Sequence, residues 1–99
     1  KKGGKMANNS ATNPIILDTA GATSAVSNPI TVTSIIVNAS ADTWSCVIHD
    51  KPSGNIIFQA DSSVANHRSI YWSPAEPITF SGLYWTTDTN IANVLIYLK

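Results

Sequence analysis

The sequence predicts an all-β chain, a small antiparallel β-sandwich or jelly roll of about seven or eight strands with an extended N-terminal arm. Three observations carry this. Short runs of β-branched and aromatic residues recur between turn-forming clusters. Nowhere do apolar residues repeat at i, i+3, i+4 and i+7 over several turns, as an amphipathic helix requires. A chain of 99 residues suits one core and leaves no room for a second.

Residues 1–13 are small, polar and aperiodic. They hold too little apolar area to offset the entropy of ordering, so an arm is expected, either disordered or laid along a neighbouring subunit. Within it, Lys1–Lys5 read as residues placed ahead of a natural start at Met6, with a basic arm as the alternative. Residues 14–99 form the expected single domain. Ile15-Ile16-Leu17 is a short β-prone run, and a small-residue linker follows from Thr19 to Asn28.

The clearest strand is Ile30–Ala39, where β-branched residues stiffen χ1 and favour a pleated surface. Ile30 and Val32 share one face and Ile35 and Val37 the other, so the apolar phase slips near Ser34. A β-bulge there, or burial on both faces, accounts for the slip. After the turn Ala39–Asp42, Trp44, Cys46 and Ile48 alternate with Ser45, Val47 and His49, the period of a half-buried strand.

Asp50-Lys51-Pro52-Ser53-Gly54-Asn55 supplies a preset proline φ and a glycine free to take φ > 0, the signature of a hairpin returning through Ile56–Ala60. A polar loop from Asp61 to Arg68 leads to Ser69–Trp72. Pro74 and Pro77, which cannot donate ladder hydrogen bonds, precede Ile78–Phe80. Gly82–Thr86 and Asn93–Leu98 flank the turn-forming Asp88-Thr89-Asn90 and predict a terminal hairpin.

Composition limits function. Charged residues are 12% of the chain and hydrophobic residues 43%, so the surface is dominated by Ser, Thr, Asn and Ala and tolerates contact with other proteins. The formal net charge of zero divides unevenly. From Met6 onward three basic residues stand against six acidic ones, a net of −3. Such a body has no basic stripe to release counterions from phosphates, which argues against nucleic acid as a partner. Cys46 is alone, which leaves no intrachain disulfide. Apolar runs fall far short of the roughly 20 residues that cross a bilayer, and no signal-peptide pattern is present, so no membrane partner is expected and the chain reads as soluble and made in a reducing cytoplasm.

Candidate chemistry is sparse, and neither catalytic, metal-binding nor cofactor-binding residues are expected. Cys46 and His49 form C-x-x-H, but strand alternation sends them to opposite faces. The bland reading is a buried thiol and an exposed imidazole. His67 stands near Asp61, Ser62 and Ser63 without the strained nucleophile turn or helix N-terminus that an oxyanion hole needs. No paired carboxylates and no glycine-rich phosphate loop are visible. Aromatic residues remain. In the doublets Tyr71-Trp72 and Tyr84-Trp85 alternation puts one member inside and the other at a surface. The candidate interface or ligand-stacking residues are therefore Tyr71, Trp72, Tyr84 and Trp85, with His67 and Arg68 beside them.

Taken together, Asn28-Pro29-Ile30-Thr31-Val32, Gly54-Asn55-Ile56-Ile57-Phe58, Phe80-Ser81-Gly82-Leu83-Tyr84-Trp85 and Val94-Leu95-Ile96-Tyr97-Leu98 carry a resemblance. In this order they resemble the small virion structural proteins of tailed bacteriophages, over residues 12 to 99. The resemblance implies a non-enzymatic capsid decoration, or cement, protein. It would be made in the host bacterial cytoplasm and sit on the capsid surface as a homotrimer. Its partners would be the major capsid protein or other virion proteins. The alternative is a carbohydrate-binding or receptor-binding module of a phage fibre or tail, built on the aromatic doublets.

Overall fold

The computed structural model describes residue 8, residues 12–18, residue 20 and residues 26–99. Eight strands run in order: β1 (Ile15–Leu17), β2 (Ile30–Ala39), β3 (Trp44–His49), β4 (Ile56–Ser62), β5 (Ser69–Trp72), β6 (Ile78–Phe80), β7 (Tyr84–Thr89) and β8 (Ile91–Leu98). The described residues contain no helix. Most of the expected arm, residues 1–7 and 9–11, lies outside the described residues, as does much of the linker at 19 and 21–25.

The strands form two antiparallel sheets. In the first the order is β1-β8-β2, and both β5 and β6 pair with the far edge of β2; in the second it is β4-β3-β7. An isolated bridge joins Val26 to Leu83, each N–H donating to the other's carbonyl at 2.8 Å. The pairing is nested: β1 with β8, Val26 with the residue ahead of β7, β2 with β5 and β6, and β3 with β4. A long antiparallel ribbon rolled over into two sheets gives this connectivity, which is that of a jelly roll.

Strand β2 holds the first sheet together, and its phase slip is a bulge. Val32 faces Leu98 and Ser34 faces Tyr97, so Thr33 is the extra residue. Thr33 Oγ1 donates to the Tyr97 carbonyl at 3.2 Å, and Ser73 Oγ donates to the Thr33 carbonyl at 3.4 Å, which satisfies the disturbed backbone. The extra residue returns Ile35 and Val37 to the face that holds Val32, and all three are buried. It also divides the labour of β2, since Ile30–Val32 pairs with β6 and Ile35–Asn38 pairs with β5.

Strand β3 alternates as expected, with Trp44, Cys46 and Ile48 buried. Its inward side chains meet those of β2 and β8 and enclose Trp85, which is fully buried. In the hairpin between β3 and β4, Gly54 N–H donates to the Lys51 carbonyl at 2.9 Å and Asp50 N–H to the Asn55 carbonyl at 3.0 Å. The left-handed residue is Ser53, with φ of 61°, and not the glycine expected to take that role. Gly54 is required by proximity instead: a Cβ there would run into the Asp50 carboxylate and the Lys51 side chain.

The expected terminal hairpin does not form. β7 pairs with β3 in the second sheet, whereas β8 pairs with β1 and β2 in the first. Asn90, at φ 56°, turns the chain from one layer to the other. Its side-chain amide donates to the Thr43 carbonyl at 2.7 Å, and its own carbonyl accepts from Ser40 N–H at 2.7 Å. The reason is the apolar pattern. Ile91, Val94 and Ile96 fill the first sheet's core face opposite Trp85, a packing that a two-strand hairpin could not supply.

At the start of the domain, Asn13 clamps the end of β8. Its amide nitrogen donates to the Leu98 carbonyl at 3.0 Å and its oxygen accepts from Leu98 N–H at 2.8 Å. Gly82 is pressed between the carbonyl oxygens of Val26 and Asp50, where an added Cβ would stand 2.6 and 2.8 Å away. Two substitutions test this frame in urea denaturation. Trp85→Ala should lose about 3–5 kcal/mol, and Gly82→Ala should lose about 1–3 kcal/mol because fixed backbone and no flexible side chain opposes the methyl. The exposed Ser81→Ala should stay within about 0.5 kcal/mol of the parent.

Candidate functional site

Chemistry that needs converging reactive groups finds little to work with. Cys46 is buried under the second sheet, while His49 stands half-buried on its other face, so the C-x-x-H pair is split as alternation requires. His49 Nδ1 lies 3.0 Å from Thr86 Oγ1, and that hydroxyl spends its proton on the Val47 carbonyl at 3.0 Å. The tautomer with Nδ1 as donor satisfies both contacts, and the imidazole then links β3 to β7. Among the described residues, no group of three His, Cys, Asp or Glu side chains is placed to hold a metal ion.

His67 contributes its backbone. Its carbonyl accepts the Trp44 indole N–H at 2.6 Å, and its imidazole shares no hydrogen bond with Asp61, Ser62 or Ser63. That bond explains how a buried tryptophan satisfies its polar atom: the loop leaving β4 folds over the end of the sandwich and hands it a carbonyl. The loop is held from a second side by Asp42, in the turn between β2 and β3. Asp42 Oδ1 accepts from Arg68 Nε at 2.8 Å and from Asn66 N–H at 3.2 Å. Asn66 takes φ of 68°, a left-handed conformation that asparagine tolerates. The Arg68 carbonyl then accepts from Ala39 N–H at 2.6 Å, leading the chain into β5.

The Arg68 hydrogen bond, helped by Asn66 N–H, holds the Asp42 carboxyl below its ordinary value of 3.8. An open depression of about 690 Å³ lies beside this loop, lined by Trp44, Asp61, Asn66, His67, Arg68 and Ile70 among others.

The same side of the molecule carries two free strand edges. β4 ends the second sheet, and β5 with β6 ends the first. They lie against each other: the Phe58 ring on β4 meets the Trp72 ring on β5 with centroids 5.6 Å apart and planes tilted by 54°. Among the described residues, the exposed large hydrophobic ones are Ile56, Val64, Ile70, Tyr71 and Ile78. All fall on this stretch of chain, from the start of β4 to the start of β6. Apolar groups beside unpaired backbone are the features that natural sheet proteins normally blunt with charge.

Of the six candidate residues, His67, Arg68, Tyr71 and Trp72 come together on this side, with Tyr71 66% exposed and Trp72 half-buried against Phe58. Tyr84 and Trp85 do not join them. They lie on β7, across β3 from β4, and Trp85 is 0% exposed, so it presents no surface to a partner or a sugar. The exposed aliphatic residues were not singled out from the sequence. Ile56-Ile57-Phe58 held a signal, because adjacent apolar residues on a strand cannot all face one core. Asp42 gave none, since its partner stands 26 positions away.

Comparison of the chain with protein-family models, with curated protein sequences and with solved structures finds no match.

The loop anchor has a pH signature. Because the Asp42 pKa is depressed in the folded chain, its stabilising contribution is present above the unfolded carboxyl value and is lost as pH falls through the folded one. In an NMR titration Asp42 should show a midpoint below 3.8, and Arg68→Ala should move it upward. A midpoint unmoved by Arg68→Ala would refute the assignment.

Proposed function

We propose that this chain is a non-enzymatic assembly module that docks onto another protein through the side formed by β4, β5 and β6. The observation that carries the reading is that Ile56, Val64, Ile70, Tyr71 and Ile78, all exposed, belong to the one stretch of chain from β4 to β6. A monomer surface gains nothing from such residues, whereas in a contact they are removed from water at roughly 25 cal/mol per Å² before association entropy is subtracted. Free strand edges beside them offer backbone N–H and C=O groups to a partner as well.

The resemblance to tailed-phage virion proteins supplies the setting. In this proposal the partner is the major capsid protein and the role is cementing the shell, by bridging subunits whose contacts it reinforces. A low-charge surface suits that role, since desolvating Ser, Thr and Asn costs far less than desolvating ions. One observation favours a second reading, a carbohydrate-binding module of a phage fibre: Tyr71 presents an exposed aromatic ring. The burial of Trp85 removes one of the stacking faces on which that reading depended.

Co-sedimentation with undecorated capsid shells is the direct test. The parent chain should pellet with shells, and the double variant Val64→Asp, Ile78→Asp should bind at least about tenfold more weakly. Retention of the parent in the supernatant would sink the proposal. Binding to a glycan array that Tyr71→Ala abolishes would put the second reading in its place.

A further inference from the structure

Strand β4 ends the second sheet, and the geometry of β3 decides which of its backbone groups are free. Asp50 N–H donates to the Asn55 carbonyl at 3.0 Å on the β4 side, and the Val47 carbonyl accepts from Thr86 Oγ1 at 3.0 Å on the β7 side. Backbone groups alternate along an antiparallel strand, so Trp44, Cys46 and Ile48 bond β4, whereas Ser45 and Val47 bond β7. The β4 partners of the first set are Ser62, Ala60 and Phe58. Gln59 and Asp61 therefore aim their N–H and C=O groups away from the sheet. Among the described residues, no turn or loop backbone bonds those groups.

Length and charge set this edge apart. β4 has seven residues and no proline, while the edge of the first sheet on the same side is split into β5, of four residues, and β6, of three, with Pro74 and Pro77 between them. The depression of about 690 Å³ is lined by Asp61 and Ser62 on one sheet and Ser69 and Ile70 on the other, so the seam between the sheets is open beside this edge. Asp61 is exposed. Among the described residues the one salt bridge commits Arg68 to Asp42, which leaves the Asp61 carboxylate without a cation.

We infer that the partner protein adds an extended segment to β4 as a further strand, paired through Gln59 and Asp61, with a Lys or Arg facing Asp61 and uncharged side chains facing the seam. Alternation sorts the segment's residues. Gln59 and Asp61 stand opposite Val47 and Ser45 on the outer face of the second sheet, so segment residues beside them lie on that face, within reach of the carboxylate. Residues beside Ala60 and Ser62 share the face of buried Cys46 and Trp44 and turn toward the seam. A cation there would meet Arg68 and His67, which line the depression. A second copy of β4 fits poorly, because pairing two such edges about their centre sets both Asp61 carboxylates on one outer face. This inference rests on the reading of the chain as a module that docks through the β4–β5–β6 side, and it supplies the mode of contact and the charge of the partner.

An NMR titration of the whole chain tests it, with the peptide acetyl-Thr-Val-Lys-Val-Thr-amide and its counterpart carrying Glu in place of Lys. The Lys peptide should shift the Gln59 and Asp61 amides and bind at least about threefold more tightly than the Glu peptide at low ionic strength. Asp61→Lys should reverse that preference. Gln59→Pro removes one outward N–H while sparing the ladder to β3, and it should abolish binding of both peptides. If Gln59→Pro fails to fold, the reversal by Asp61→Lys decides the matter. The inference is overturned by Gln59 and Asp61 amides that stay unshifted up to about 5 mM peptide. It is equally overturned by a preference that survives Asp61→Lys, or by shifts at Ser69 and Tyr71 instead, which would give the site to β5. Shells that bind the parent without protecting the Gln59 and Asp61 amides from hydrogen exchange would overturn this inference alone. A chain that takes the Lys peptide and ignores shells would sink the cement reading alone.

Discussion

Strand β2 must serve three neighbours while keeping one apolar face, and a regular strand of its sequence could not do so. With strict alternation, Val32 would point into the core and Ile35 and Val37 away from it. Thr33 resolves the conflict by standing outside the ladder. Upstream of it β2 accepts β6, downstream it accepts β5, and along its other side it pairs with β8 from Val32 to Ala39. Because β8 in turn carries β1, the whole first sheet depends on that single inserted residue, and so does the cavity into which Trp85 packs.

The nested pairing has its own consequence. Every pair except β3 with β4 joins segments distant in sequence, so little of the fold is stable before most of it has formed. Polar side chains guard the places where the ribbon changes layer. Asn90 ties the β7–β8 corner to Thr43, Asn13 ties the entry of β1 to Leu98, and Asp42 ties the loop over Trp44 through Arg68 and Asn66. Each satisfies backbone or side-chain groups that a sharp turn would leave unpaired.

Segregation of charge follows from the same architecture. The first sheet is apolar inside, uncharged outside and free at β5 and β6; the second carries the ionisable strand residues. His49 is bound to Thr86, while Cys46 is sealed in the core.

The sequence by itself determined the strands. β-branched runs and turn residues placed every element, alternation separated Cys46 from His49, and the phase slip near Ser34 marked an irregularity that a bulge or burial on both faces would explain, because these signals are local and a strand records its own two faces. It also led to the expectation that one member of each aromatic doublet would lie inside; Trp85 is buried, whereas in the other doublet Tyr71 is exposed and Trp72 only half-buried. Only the tertiary structure decided which member and how deeply, since Trp85 sits on β7 beside β3 with its side chain in the core, and Trp72 lies at an edge against Phe58. Pairing was likewise beyond local reading: Asp88-Thr89-Asn90 has the residues of a hairpin turn, yet the core opposite Trp85 draws β8 into the other sheet. The row in which Ile16, Leu95, Ile36 and Tyr71 stand opposite one another across β1, β8, β2 and β5 exists in no segment of the chain. Hydrogen-bond register across four strands assembles it, and register is set by long-range burial, which no short stretch of sequence encodes.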